Sequence, residues 1–245
     1  MSARTLAAGV LAAALACAVP ARAGAQSKAD AFEGKVPPIA GQLFRKSGRT
    51  ELTLSFDTSL NDAFYTKYFL GVKADYHFTE HWDVGIEAQG GLTVQTSSAV
   101  VCTAAAGCTN ATTEMMRQVP GKIRWIVGAQ GEWSPIYGKL DALSESVAHM
   151  DLSLIAGPDL IAYDEVLSTA QAQAGAPATL TKIGGHVGLG MRFFVSERWA
   201  VRLEFKDYLY SVNVPNGGIG THVLNQFFLD IGASMFLPGA NRATR

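Results

Sequence analysis

Beyond residue 25 the chain lacks any apolar run of the roughly 18 residues that a membrane-spanning helix needs. It lacks net charge as well: the formal value is −1, which argues against nucleic acid or an anionic membrane surface as a partner. Cysteines are few, three in 245 residues, and the two outside the N-terminal stretch have no histidine or third cysteine beside them. That argues against a metal site of familiar spacing. There is no phosphate-cradling glycine loop, because Gly188-Leu189-Gly190 lies inside an alternating run where glycine makes room. A chain that spans a bilayer under these limits does so with strands. Those strands must close on each other, because lipid satisfies no open sheet edge.

Alternation is what the sequence has in abundance. In residues 184–210, Val187, Leu189, Met191, Phe193 and Val195 alternate with His186, Gly188, Gly190 and Arg192. After the polar turn Ser196-Glu197-Arg198, Trp199, Val201, Leu203 and Phe205 alternate with Ala200, Arg202, Glu204 and Lys206. One face is apolar and the other is glycine plus charge, with period two. Six further runs follow the pattern: 50–59, 64–78, 81–95, 121–134, 148–163 and 223–237. With the two arms of the hairpin they predict an all-β fold, an eight-stranded antiparallel transmembrane β-barrel of up-and-down meander topology. Tight turns are expected at 60–62, 79–80 and 196–198, and long polar loops at 96–120, 164–179 and 212–222. The connection 135–147 is expected to be a longer turn with a short helical turn at 140–146.

Residues 1–25 read as an export signal: Arg4, an Ala/Leu stretch, Pro20, then small residues for cleavage. A lipoprotein signal acylated at Cys17 is the rival reading, weakened by Ala14 where leucine is usual. Residues 26–48 read as a periplasmic lead-in, 49–238 as the barrel and 239–245 as a C-terminal tail. Both barrel termini are then periplasmic, the even-numbered, mostly tight connections face the periplasm and the long loops face outward, and the short first connection at 60–62 spoils perfect alternation. Trp82, Trp133 and Trp199 sit beside the even-numbered, periplasmic connections and form an interfacial girdle. Cys102 and Cys108, in one exported loop, are expected to form a disulfide.

The polar faces hold Lys67, Lys73, Lys122, Arg124, Lys182, Arg192, Arg202 and Lys206 against Glu51, Asp57, Asp75, Glu87, Glu132, Asp151, Glu204 and Asp230. Facing lipid at mid-depth, each basic group would cost about 2–4 kcal/mol. An eight-stranded barrel has an interior just wide enough for side chains to fill. The expectation is therefore a solvated plug of ion pairs with the charges inward, His186 included. A soluble barrel with the faces exchanged has the same periodicity, and strand length, the tryptophans and the loop asymmetry speak against it.

The chain also resembles a family of eight-stranded outer-membrane barrels best known from myxobacteria and their relatives. The resemblance rests on Tyr76-His77-Phe78-Thr79-Glu80-His81-Trp82, on Trp133-Ser134-Pro135-Ile136-Tyr137-Gly138-Lys139, on Gly190-Met191-Arg192-Phe193-Phe194 through Glu204, and on Phe236-Leu237-Pro238. It implies a place in the bacterial outer membrane, with lipid as the first partner. It also implies a structural or interaction role, with envelope proteins met through the surface loops or the lead-in, some relatives belonging to motility or adhesion assemblies. No cofactor, metal or catalytic set is expected. A small-solute channel is the alternative; a lipid-modifying enzyme using His222, Asp207 and Ser211 at the outer rim is the third reading.

Overall fold

The computed structural model describes residues 44–104, 107–142, 146–215 and 220–238. The export signal with Cys17, the lead-in up to residue 43, residues 143–145, Asn216-Gly217-Gly218 and the tail from 239 lie outside the described residues. In chain order the elements are β1 (Thr50–Ser59), β2 (Tyr65–His77), β3 (Trp82–Gln95), β4 (Val100–Thr103), β5 (Gly107–Asn110), α1 (Thr113–Met116), β6 (Ile123–Ala142), β7 (Ser146–Asp164), α2 (Thr169–Ala174), β8 (Thr179–Phe194), β9 (Trp199–Val214) and β10 (Gly220–Phe236). Eight of the strands close into an antiparallel barrel in the order β1-β10-β9-β8-β7-β6-β3-β2, and β4–β5 form a separate hairpin. The barrel shuts where β1 meets β10, from Glu51 opposite Phe236 to Ser59 opposite Phe228.

Burial decides which face looks inward. On β2, Lys67, Phe69, Lys73, Asp75 and His77 are buried, while Leu70 is 66% exposed and Val72 57%. Ile86 on β3 and Ile183 on β8 are exposed in the same way, and Glu87, Arg192 and Glu204 are buried. The soluble reading with its faces exchanged is thereby excluded, because its apolar row would be the buried one. A contiguous exposed band of Leu, Ile and Val is stable in a bilayer and not in water.

The barrel has a turn end and a loop end. At the turn end two connections share one design. The Thr79 hydroxyl accepts from the amides of His81 (3.1 Å) and Trp82 (3.0 Å). The Ser196 hydroxyl accepts from Arg198 (3.3 Å) and Trp199 (3.1 Å). Short hydroxyl-capped turns of this kind fix the register without glycine. Each places a tryptophan on the outer face of the strand that follows. Trp82 and Trp133 are directly opposite and stack with centroids 5.9 Å apart.

Several expectations at the ends are corrected. The connection expected at 135–147 is mostly strand, because β6 runs through Pro135 to Ala142 and β7 begins at Ser146. Proline is tolerated there because β3 has already ended: Trp82 faces Trp133, and Ser134 donates its amide to His81. No helical turn forms at 140–142 or from 146 onward. The loop expected at 212–222 is also largely strand, with Val214 opposite Gly220 and His222 opposite Val212. Beyond the bilayer a ladder no longer needs an apolar face, so alternation fades before the hydrogen bonds do. The loops at 96–120 and 164–179 hold β4, β5, α1 and α2. The last lead-in residues are tied to the barrel. Gly48, with φ of 73°, turns the chain so that its amide reaches the His77 carbonyl at 2.7 Å.

Candidate functional site: the filled lumen

The inward rows of the eight strands meet in three layers. At the turn end an aromatic floor is built from Phe194, Ala200 and Phe236, with Phe44 and Tyr137 packed against it. Phe44 stacks on Phe194 at 5.2 Å. This floor comes partly from residues assigned in the sequence to the lead-in, which has no periodicity to reveal it.

Above the floor lies the ionic layer. Arg192 donates to Glu51 (3.3 Å), Asp151 (3.0 Å) and Glu132 (2.9 Å). Arg202, directly opposite Arg192 in the ladder, donates to Asp75 (3.0 Å), to the other Glu132 oxygen (2.5 Å) and to Glu204 (2.6 Å). Glu132 thus bridges two guanidiniums that would otherwise repel. Lys73 joins Glu204 (2.6 Å) to Asp230. Lys206 contacts Glu87, Glu204 (3.1 Å) and Gln130 (3.0 Å). His77 bridges Glu51 (2.8 Å) and Asp83 (3.0 Å). His186 faces Asp159 at 2.9 Å. Every barrel strand contributes. Room comes from glycine where acids press in: a Cβ on Gly85 would lie 1.9 Å from Asp75, and one on Gly128 would lie 2.0 Å from Asp159.

The third layer, toward the loop end, is apolar. Phe69, Ile123, Ile126, Ile161, Tyr163, Tyr208, Tyr210, Val212 and Phe228 form one cluster, with Tyr208 edge-on to Phe228 at 5.5 Å. An ion-paired fill throughout was expected, so this layer is a correction. The signal was present: Phe69 shares the parity of Lys67 and Lys73, and Tyr208 that of Lys206 and Glu204.

Of the named network residues, Glu51, Asp57, Lys73, Asp75, Glu87, Glu132, Asp151, His186, Arg192, Arg202, Glu204, Lys206 and Asp230 are buried together in the ionic layer. Lys67 is buried nearer the loop end, on Asp62 and Gln226 (2.7 Å). Three do not join. Lys122 (3.0 Å) and Arg124 both reach Asp164 at the rim, with side chains 41% and 51% exposed. Lys182 is half-buried opposite Ile161, with no ion pair among the described residues. All three lie at the loop end of their strands, where lumen gives way to solvent. Sequence reasoning missed Lys46, whose ammonium reaches Asp151 at 2.6 Å, and left Asp83 and Asp159 out of the network. The correction changes the charge balance. Buried carboxyls of Glu51, Asp57, Asp75, Asp83, Glu87, Glu132, Asp151, Asp159, Glu204 and Asp230 face Lys46, Lys73, Arg192, Arg202 and Lys206, with His77 and His186. Acids outnumber lysines and arginines two to one.

At the loop end, Cys102 and Cys108 are directly opposite in the β4–β5 hairpin and joined by a disulfide. This exposed hairpin is followed by α1, which is braced against the α2 loop: Leu167 donates its amide to Arg117 (3.0 Å), and Arg117 donates to Ala172 (2.9 Å). The rim does not assemble a triad. His222 pairs with Val212 and shares its face, whereas Ser211 and Asp207 pair with Val223 and Phe227 on the opposite face.

Among solved structures, the N-terminal β-barrel domain of Pseudomonas aeruginosa OprF is similar at 7% identity, with a TM-score of 0.46 over 78% of this chain and 98% of that one. Pseudomonas aeruginosa OprG is similar at 14% identity, with a TM-score of 0.43 over 79% and 98%. Ail of Yersinia pestis is similar at 12% identity, with a TM-score of 0.36 over 78% and 99%. No curated protein matches the chain in sequence. The family model described as outer membrane protein beta-barrel domain matches residues 9–227. The chain belongs to that family of barrel proteins of the bacterial outer membrane.

Proposed function

We propose that this protein is a non-conducting structural or interaction component of the outer membrane, with a plugged lumen and no enzymatic role. The observation that carries the reading is the three-layer fill, in which charged side chains from all eight strands are buried between an aromatic floor and an apolar layer. An ion entering that space would have to displace paired charges and an aromatic cluster, both costly. The charges serve the barrel as internal cross-links. The contact surface is the loop end, where the disulfide-closed β4–β5 hairpin and the braced α1 and α2 loops stand out from the barrel.

In this reading the export signal is cleaved, both termini and the turn end are periplasmic, and the loop end faces outward. The tryptophans Trp82, Trp133 and Trp199 form the girdle at the periplasmic interface. Envelope proteins are met through the loops or the lead-in, as in the motility or adhesion assemblies of the myxobacterial barrels that the chain resembles. Reconstitution in planar bilayers is the test. The closed lumen gives no steady unitary conductance; reproducible ion-selective openings would replace this reading with the channel.

A further inference from the structure

We propose that Glu87, Asp159 and His186 form a binding site inside the lumen for one divalent transition-metal cation, of the class that Zn²⁺ represents. One ligand atom from each residue lies within 4.8 Å of the others, and all three residues are buried. His186 Nδ1 is 2.9 Å from an Asp159 oxygen and 3.9 Å from Glu87 Oε1. A proton on Nδ1 satisfies the aspartate and leaves the glutamate at non-bonding distance. A metal ion with bonds of about 2.0–2.2 Å would draw the three ligand atoms together.

Two further observations point to a cation. Asp159 is seated against Gly128, where any Cβ would come within 2.0 Å of its oxygen, so the backbone leaves room for this carboxylate and for little else. The ionic layer as a whole holds twice as many carboxyls as lysines and arginines. Buried charge must be compensated, and one divalent ion between Glu87 and Asp159 would supply two positive charges. Lys206 occupies the other Glu87 oxygen, but Glu204 at 3.1 Å shares its charge. Tyr208 donates to Glu87 Oε1 at 2.8 Å and holds the carboxylate in place. One nitrogen with two carboxylates favours Zn²⁺, Mn²⁺ or Ni²⁺ over Mg²⁺ and Ca²⁺, which prefer all-oxygen sites.

The test refolds untagged protein into detergent micelles with and without Zn²⁺, removes free metal by desalting, and measures bound zinc by elemental mass spectrometry. Folding of each sample is read from heat-modifiable gel migration. Wild type should retain one equivalent, and Asp159→Asn and His186→Gln should each weaken retention by about tenfold or more. Asp230→Asn removes a carboxyl of the same layer away from the site and should retain zinc as wild type does. Folded wild type without zinc overturns the proposal. So does an equal loss in Asp230→Asn, which would mean diffuse charge compensation. Should neither site variant fold, X-ray absorption of the zinc-loaded wild type decides: a shell with one nitrogen supports the site, and an all-oxygen shell overturns it.

Discussion

Arg202 meets four carboxylates, those of Glu51 (3.4 Å), Asp75 (3.0 Å), Glu132 (2.5 Å) and Glu204 (2.5 Å). Removing a buried partner leaves uncompensated charge, which costs about 3–5 kcal/mol. Arg202→Met should lower stability by that amount, measured as urea unfolding in micelles. A loss under about 1 kcal/mol would show that the network is not the brace described. Arg124→Met, at the exposed rim, should cost less than about 1 kcal/mol in the same assay. Glycine gives a second contrast. A Cβ on Gly157 would lie 1.9 Å from the Ala129 carbonyl, whereas on Gly138 its nearest neighbour is the Met150 side chain at 3.5 Å. Gly157→Ala should therefore reduce the folded fraction, and Gly138→Ala should not. At this scale the parity of a residue was legible in the sequence and its height was not. Lys122 and Arg124 share the alternation of the lumen residues, and nothing local marks where a strand leaves the membrane. Lys46 sits in a segment with no pattern at all, so its bond to Asp151 could be found only in three dimensions.

The strands themselves were readable because lipid enforces period two along their membrane-crossing lengths. Their ends were not, because that pressure stops at the interface while hydrogen bonding continues. β9 and β10 carry on to Val214 and Gly220, with Thr221 donating to Asn213 at 3.1 Å. Polar residues of this kind look like loop in a sequence and make good ladder in solvent. The β4–β5 hairpin is a local device. Its disulfide joins residues six apart and closes no barrel strand, so its entropy effect falls on the hairpin. Cys102→Ser with Cys108→Ser should leave the barrel's urea midpoint unchanged and make residues 96–120 a site of rapid cleavage in limited proteolysis. Cleavage that stays as slow as in wild type would assign the hairpin's rigidity to α1 and α2 instead.

At the scale of the whole molecule the fold is a soluble protein turned outside in, with paired charge as core and leucine, valine and isoleucine as surface. An excess of acids within the lumen follows because Lys122, Arg124 and Lys182 go to the rim, while Asp83 and Asp159, left out of the expected network, are buried. The inverted polarity predicts an asymmetric response to charge. Leu70→Arg, on the lipid face, should cost about 2–4 kcal/mol if it lies at mid-depth, read as urea stability in vesicles. The central claim is the direction in which the two faces of each strand look. Spin labels attached one at a time at Leu70→Cys, Val72→Cys and Ile86→Cys, in protein refolded into lipid vesicles, measure it most directly. The account predicts relaxation by oxygen and little by a water-soluble nickel chelate at all three positions. Ready relaxation by the chelate, with oxygen ineffective, would contradict it.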